Sequence, residues 1–320
     1  MAQPYPEIEP FSRGMLAVGD GHAIYWETCG NPAGKPALVL HGGPGSGCSP
    51  WHRRLFDPAR YRVVLFDQRN CGRSRPYAGE SMVDLSTNTT DRLIEDIEAL
   101  RTHLGVQRWL VLGGSWGSAL ALAYAERFVE RVTDLVLFGV TTGRREEFDW
   151  LFRDGLAPLF PEEWQRRRDA ISPEEHSRDV VEAYSRMLHD PDAAVRARAA
   201  HAWCLWESAT PDWPPQQGLA PRFRDPGYAL AFARIVTHYV VHDAWLGDGI
   251  VMREIGRLRS VPGVLINGRY DLQAPLATAW EVNRRWPRSE LVVIGDAGHS
   301  ASNARLTEAI VNATDRFAGT

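Results

Sequence analysis

Short apolar runs rich in Val, Leu and Ile recur along the chain at 36–41 (PALVLH), 61–67 (YRVVLFD), 109–112, 133–138, 261–266 and 291–294. Runs that are apolar at successive positions are what parallel strands covered on both faces require. Ahead of them, residues 15–30 hold two short strand patterns around Gly19-Asp20-Gly21, which predicts an antiparallel hairpin. Between the runs the period lengthens. In 89–104 the apolar positions Leu93, Ile94, Ile97, Leu100 and Leu104 keep helical spacing, and Gly105 supplies the stop. A second helix is predicted from Ser118 (SALALAYAERF). Strand–helix alternation of this kind predicts right-handed βαβ units and an α/β fold with a mostly parallel, doubly wound sheet.

The alternation stops near Thr141 and resumes near Val261. The stretch between carries helical patterns at 193–208 and 226–240 and six of the twelve tryptophans. This predicts a helical cap inserted between two sheet strands, over the carboxyl ends where ligands of α/β sheets bind. The expected organisation is a core in two parts, 1–140 and 259–320, with the cap at 141–258.

Composition excludes several classes. With 320 residues, 44% hydrophobic and 24% charged, the chain is globular and long enough to bury a large core. A net charge of −4, with one short basic run at 166–168, lacks the footprint of a nucleic-acid binder. Lys35 is the only lysine and sits in a Gly-Lys-Pro turn, which argues against both a Schiff base and a phosphate-binding P-loop. Cys29, Cys48, Cys71 and Cys204 form no C-x-x-C pair, so neither a zinc site nor a disulfide framework is indicated, and no cofactor or metal is expected. The start MAQPYPEIEPFSRG does not read as a secretory signal, and no apolar run reaches the roughly 18 residues of a membrane span. A reduced, cytoplasmic protein without membrane partners is expected; the sequence does not specify its oligomeric state.

The segment Gly113-Gly114-Ser115-Trp116-Gly117 carries the chemistry. It follows one predicted strand and precedes a predicted helix, the context in which G-x-S-x-G holds a nucleophilic serine on a strained turn above the sheet. A serine needs a base, and the base needs an acid to orient it. In chain order the acid should end a late strand, as Asp271 does, and the histidine should follow the last strand, as His299 does. Asp296, three residues before His299, is the rival acid and is better suited to holding its own turn by local bonds. An oxyanion hole needs two preorganised N–H groups, each worth roughly 3–4 kcal/mol. Trp116, which follows the nucleophile, is one candidate; Gly43, in the loop His41-Gly42-Gly43-Pro44-Gly45, is the other.

HGGPG at 41–45, DQRNCGRS at 67–74, GGSWGS at 113–118, GRYD at 268–271 and GHS at 298–300 together resemble the proline iminopeptidases of the α/β-hydrolase superfamily, over nearly the whole chain. The resemblance implies the α/β-hydrolase fold and a cytoplasmic exopeptidase that removes an N-terminal residue, usually proline, from small peptides. It implies Ser115 as nucleophile, Asp271 and His299 as its partners, and Gly43 and Trp116 as oxyanion donors. A free N-terminal amine calls for a carboxylate, because a buried ammonium without a partner is very costly. The family's cap glutamate is matched by Glu207 in Ala202-Trp203-Cys204-Leu205-Trp206-Glu207.

Departures cluster in the same pocket. Val236 stands where the family has a second amine-binding glutamate, Thr141 where it has a phenylalanine, Phe152 where it has a tyrosine, and Ala274 where a cysteine is usual. After GHS, Ala301-Ser302-Asn303 replace aromatic and acidic residues. Loss of one carboxylate should weaken an ammonium contact by roughly 1–3 kcal/mol. The expectation is a serine hydrolase acting through an acyl-enzyme on a small peptide, amino-acyl amide or ester, with specificity drifted from strict N-terminal proline. An esterase or acyltransferase acting on a specialised metabolite uses the same triad. A non-catalytic binding protein of this fold would not need a strained elbow.

Overall fold

A hairpin opens the sheet. β1 (Ser12–Ala17) pairs antiparallel with β2 (Ala23–Gly30) across the Gly19–Gly21 turn, and β2 pairs antiparallel with β4 (Tyr61–Phe66). The remaining strands are parallel: β3 (Lys35–Leu40), β5 (Trp109–Gly114), β6 (Val132–Phe138), β7 (Gly263–Gly268) and β8 (Ser289–Ile294). They lie in the order β1-β2-β4-β3-β5-β6-β7-β8, so the chain reverses direction across the sheet after β4. This is a computed structural model, and it describes residues 3–80, 83–172 and 179–319. Met1 and Ala2 of the N-terminal stretch, and Thr320, lie outside the described residues.

The uninterrupted apolar runs follow from burial on two faces. Leu38, Leu40, Val64, Phe66 and Val111 belong to one core, packed with α2 (Thr90–His103) and α3 (Trp116–Arg127). Their neighbours Ala37, Val39, Val63, Leu65, Leu110 and Leu112 belong to the other, packed with α11 (Ala304–Phe317). Successive side chains point to opposite faces of a strand, so both alternating sets must be apolar. Helix α2 starts where the Thr89 side chain accepts from the Arg92 N–H, and Gly105 follows its end.

Helix α3 begins at Trp116, two residues before the predicted start at Ser118. The whole reversal is compressed into Ser115, which leaves Gly117 inside the helix. Gly117 is there because a Cβ at this position would strike the Leu40 carbonyl.

Between β6 and β7 lie α4 (Arg145–Phe152), α5 (Pro161–Asp169), α6 (Val180–Leu188), α7 (Ala193–Ala209), α8 (Pro226–Val241) and α9 (Ile250–Glu254). Trp203 of α7 stacks on Phe152 at 5.6 Å and meets Tyr184 edge-on at 5.4 Å. These helices also bond to the loops that follow β3 and β4: the Arg234 guanidinium donates to the Ala78 and Glu80 carbonyls, and the Tyr228 hydroxyl to the Ser46 carbonyl. No helix among the described residues is long and apolar enough to cross a membrane. α1 (Pro50–Arg53) and α10 (Leu276–Arg285) complete the helices.

The loop after β4 is pinned by its own motif. Arg69 forms a bidentate pair with Asp96 (Nε–Oδ2 2.8 Å, Nη2–Oδ1 2.9 Å) and also bonds Asp20 and the Val18 and Thr87 carbonyls. Arg69 and Asp96 are both about 1% exposed. Removing one member of such a pair strands a buried charge. Arg69→Met is therefore expected to lower unfolding stability by about 3–5 kcal/mol, read from urea denaturation. A loss below ~1 kcal/mol would show that water relaxes into the site.

Candidate active site

Ser115 occupies the single residue between β5 and α3, with φ 54° and ψ −127°. A side chain in this region is strained and persists only where its surroundings over-determine it. Here the Ser115 N–H donates to the Phe138 carbonyl at 2.9 Å. Its own carbonyl accepts from the Ser118 N–H at 2.8 Å and the Ser118 hydroxyl at 2.6 Å. The hydroxyl is thereby raised at the carboxyl edge of β5.

Two later loops bring in the other groups. Asp271 follows β7, where its Oδ1 accepts from the Ala274 N–H at 2.7 Å. Asn267 fixes the same loop by accepting from the Val140 N–H and donating to the Ala274 carbonyl. His299 follows β8, and its Nδ1 lies 2.9 and 2.8 Å from the two Asp271 oxygens. Nδ1–H donating to the carboxylate leaves Nε2 as the acceptor nitrogen. Burial alone would lower the His299 pKa, but the charge and hydrogen bond of Asp271 outweigh it and raise the pKa above 6.5. Ser115 and His299 face one cavity and make no hydrogen bond to each other; such contacts commonly tighten only when substrate binds. Asp296 is not part of this arrangement, nor does it bond within its turn: it is exposed and pairs with Arg305 nine residues on, at 3.0 Å.

The glycine loop is braced from behind. The His41 ring donates to the Gly42 carbonyl and accepts from the Gln68 N–H, while the Gln68 side chain bonds both the His41 carbonyl and the Trp116 indole. Gly43 has φ +115°, and a Cβ there would sit 2.5 Å from the Gly45 nitrogen, so only glycine suits the position. Among the described residues the Gly43 N–H bonds to no acceptor. The Trp116 N–H opens α3, where no intrahelical acceptor exists.

A cavity of about 430 Å³ is lined by Gly43, Ser115, Glu207, Arg222, Phe232 and His299, among others. A smaller one of about 40 Å³ lies on another side of Ser115, between Gly43, Trp116, Thr141, Phe152 and Ala274. Glu207 is 5% exposed; its Oε1 has no partner, and its Oε2 receives only a 3.5 Å contact from Gln273. Burial pushes its carboxyl above the usual range, against the pull of Arg222, Arg167 and His299 and of the nearby Trp203 indole N–H. Thr141 and Phe152 line the small cavity, and the Thr141 hydroxyl is engaged by Glu147 at 2.7 Å. Val236 is fully buried and lines neither cavity; one turn earlier on α8, Phe232 reaches the larger one.

Sequence reasoning missed Phe232, Arg222, Asp212, Gln273 and Glu147. The Arg-rich stretch around 222 gives no periodic signal, whereas Glu147 sits three residues after Arg144, the spacing of a helix-capping carboxylate. No group of three or more His, Cys, Asp or Glu side chains suited to a metal occurs among the described residues.

Sheet order, elbow and acid–base pair define the class: a serine hydrolase of the α/β-hydrolase fold. The model of the alpha/beta hydrolase fold family matches residues 35–302. A probable proline iminopeptidase of Streptomyces coelicolor is 50% identical over 318 residues, covering 98% of this chain and 97% of that one. The proline iminopeptidase of Xylella fastidiosa is 47% identical over 314 residues, 98% of each. The solved proline iminopeptidase of Mycobacterium smegmatis superposes with a TM-score of 0.61 at 20% identity, over 96% of this chain and 99% of that one. A bromoperoxidase from Bacillus anthracis reaches 0.68 at 18% identity, over 97% and 100%, so the structural likeness speaks for the fold alone. The chain belongs to the proline iminopeptidases of the α/β-hydrolase superfamily.

The Asp271–His299 contact makes folding sensitive to pH. A histidine whose folded pKa lies above the unfolded 6.5 stabilises the fold fully below pH 6.5, and that contribution is lost as pH rises through the folded value. NMR titration of the His299 imidazole is expected to give a pKa above 6.5 that falls in Asp271→Asn. An unchanged value in the variant would mean that the carboxylate does not govern the ring.

Proposed function

We propose that this enzyme releases an N-terminal residue, proline or another small residue, from peptides and amino-acyl amides, with Glu207 binding the free amine. The observation that carries the reading is a buried carboxylate with an unpartnered oxygen in the same cavity as Ser115 and His299. Such a group is costly unless a ligand supplies donors, and a primary ammonium supplies three, the secondary ammonium of an N-terminal proline two.

His299 Nε2 takes the Ser115 proton as Oγ attacks the scissile carbonyl, while Asp271 stabilises the imidazolium. The Gly43 and Trp116 N–H groups receive the oxyanion. Collapse transfers the proton from His299 to the leaving amine and leaves an acyl-enzyme on Ser115. Water, deprotonated by the same histidine, then releases the amino acid. The acyl side chain enters the small cavity beside Thr141 and Phe152, where about 40 Å³ of free space favours a compact group. Residues 141–258 act as the cap that supplies these contacts. Val236, which lines neither cavity, offers the amine no second carboxylate, so Glu207 carries that contact alone. The four free cysteines suit a reducing cytoplasm.

A panel of aminoacyl arylamides and matching esters tests the reading. Ser115→Ala should lose turnover by at least about 10³-fold. Glu207→Gln should raise KM for amine-bearing substrates by about 10- to 100-fold, the cost of a charge-assisted contact. At least one other small aminoacyl arylamide should come within about tenfold of the prolyl compound. A prolyl arylamide ahead by a wide margin would restore strict proline specificity, and preference for esters alone would overturn the peptidase reading.

A further inference from the structure

The loop that carries His299 is held from outside the sheet. The His299 backbone N–H donates to the Pro211 carbonyl at 2.6 Å, and the Ser300 N–H donates to Asp212 Oδ1 at 3.3 Å, across 88 residues of chain. Gly298 permits this approach, because a Cβ there would lie 2.6 Å from the Pro211 carbonyl oxygen and 2.7 Å from Asp212 Oδ1. The same segment is fixed from the side of α7. Thr210 is fully buried; its hydroxyl donates to the Trp206 carbonyl at 3.1 Å and accepts from the Gln273 amide at 2.8 Å. Gln273 follows Asp271 by two residues, so residues 210–212 bridge the loop of the acid and the loop of the base.

We infer that Asp212 is a positioning residue for the reaction: together with the Pro211 carbonyl it fixes the backbone of His299, so that Nε2 can reach the Ser115 hydroxyl when substrate is bound. The inference rests on His299 being the base proposed above. The contact of Nδ1 with Asp271 sets the tilt of the ring, but the place of Nε2 depends equally on where the backbone lies. A displacement of about 1 Å at a reacting group can cost on the order of 100-fold in rate. Pro211, Asp212 and Ser300 line the cavity that Ser115 and His299 share, so this tie lies beside the chemistry and not on a remote face.

The carboxylate has a second effect. Asp271 contacts the His299 ring, and Glu207, Asp212, Arg222, His41 and His52 line the cavity with it. Burial lowers the His299 pKa, while Asp271 first, and then Asp212 and Glu207, raise it by favouring the imidazolium. The other use of Asp212 would be as a second carboxylate for the substrate amine, beside Glu207. Its Oδ1 is already engaged by the Ser300 N–H, next to the base in sequence. A residue acting through the histidine backbone changes the chemical step, whereas an amine ligand changes binding, so kinetics separate the two.

The test uses the full chain with Asp212→Ala, Asp212→Asn, Gly298→Ala and His299→Ala. Each is assayed with prolyl arylamide at a temperature where urea denaturation shows it folded. Asp212→Ala is expected to lower kcat about 10-fold with KM within about twofold of wild type. Asp212→Asn keeps an oxygen for the Ser300 N–H and should hold kcat within about threefold of wild type. In both variants the acid limb of the kcat/KM profile, which reports the free enzyme's base, should move to lower pH. Gly298→Ala forces the two segments apart with Asp212 intact and should lower kcat at least about 10-fold. Wild-type kcat in Asp212→Ala or in Gly298→Ala overturns the inference. A rise in KM larger than the fall in kcat would make Asp212 a ligand of the amine and also overturns it. So does an Asp212→Asn variant as slow as Asp212→Ala, because the bond to Ser300 would then not be what the site uses. If His299→Ala retains turnover, the assignment of the base falls and takes this inference with it. If His299→Ala loses turnover while Asp212→Ala keeps kcat, only the inference about Asp212 fails.

Discussion

The positive φ of Ser115 is the constraint around which the rest of the site is arranged. A side-chain-bearing residue held there costs on the order of 1–3 kcal/mol, and its neighbours have to make every other conformation worse. The Phe138 carbonyl at the end of β6 accepts from its N–H, and the Ser118 hydroxyl donates to its carbonyl. Glycine at 117 lets the first turn of α3 press against the end of β3. Parallel strands with two apolar faces make this workable. β3, β5 and β6 are clamped between helices on either side, so the edge where they end is rigid enough to hold a strained turn.

Around that point the low dielectric works in two directions. At Asp271 and His299 it strengthens the contact that orients the ring: the acid is held by a backbone N–H, and the ring Nδ1 by both carboxylate oxygens. At Glu207 the same burial leaves a carboxylate short of donors, which makes the cavity receptive to a cation. One part of the cavity is thus fixed in orientation, and another is open and ready for a ligand. This division matches what acyl transfer asks of a site, a rigid catalytic group beside a recognition group satisfied only when substrate is present.

The loops after β3 and β4 show how a motif can be structural and still serve chemistry. Gln68 joins the glycine loop to the Trp116 indole, while Arg69 ties the same segment to Asp96 and Asp20. Asp67 accepts from the Cys48 and Arg73 N–H groups, closing the loop that follows Gly43. None of these three side chains need touch substrate. They hold the Gly43 N–H, which bonds to no acceptor among the described residues, close to the elbow.

The sequence by itself determined the strands, because two-sided burial forces contiguous apolar runs that stand out without any alignment. It also pointed to Ser115, Asp271 and His299 as the proposed nucleophile, acid and base, because a strained strand–turn–helix needs small flanking residues and the later loops each offer a polar residue at a strand end. The start of α3 was misplaced by two residues, since G-x-S-x-G does not reveal which residue carries the left-handed backbone. The ranking of cap residues was decided only in three dimensions. Phe232, Val236 and Arg222 lie within one short stretch of sequence; Phe232 and Val236 share one face of α8, one turn apart, and only the turn that carries Phe232 reaches the cavity, while a 3-10 turn sends Arg222 over two rings. Glu207 meets Gln273, which lies 66 residues further along the chain, only through the fold, and no local pattern records such a distance.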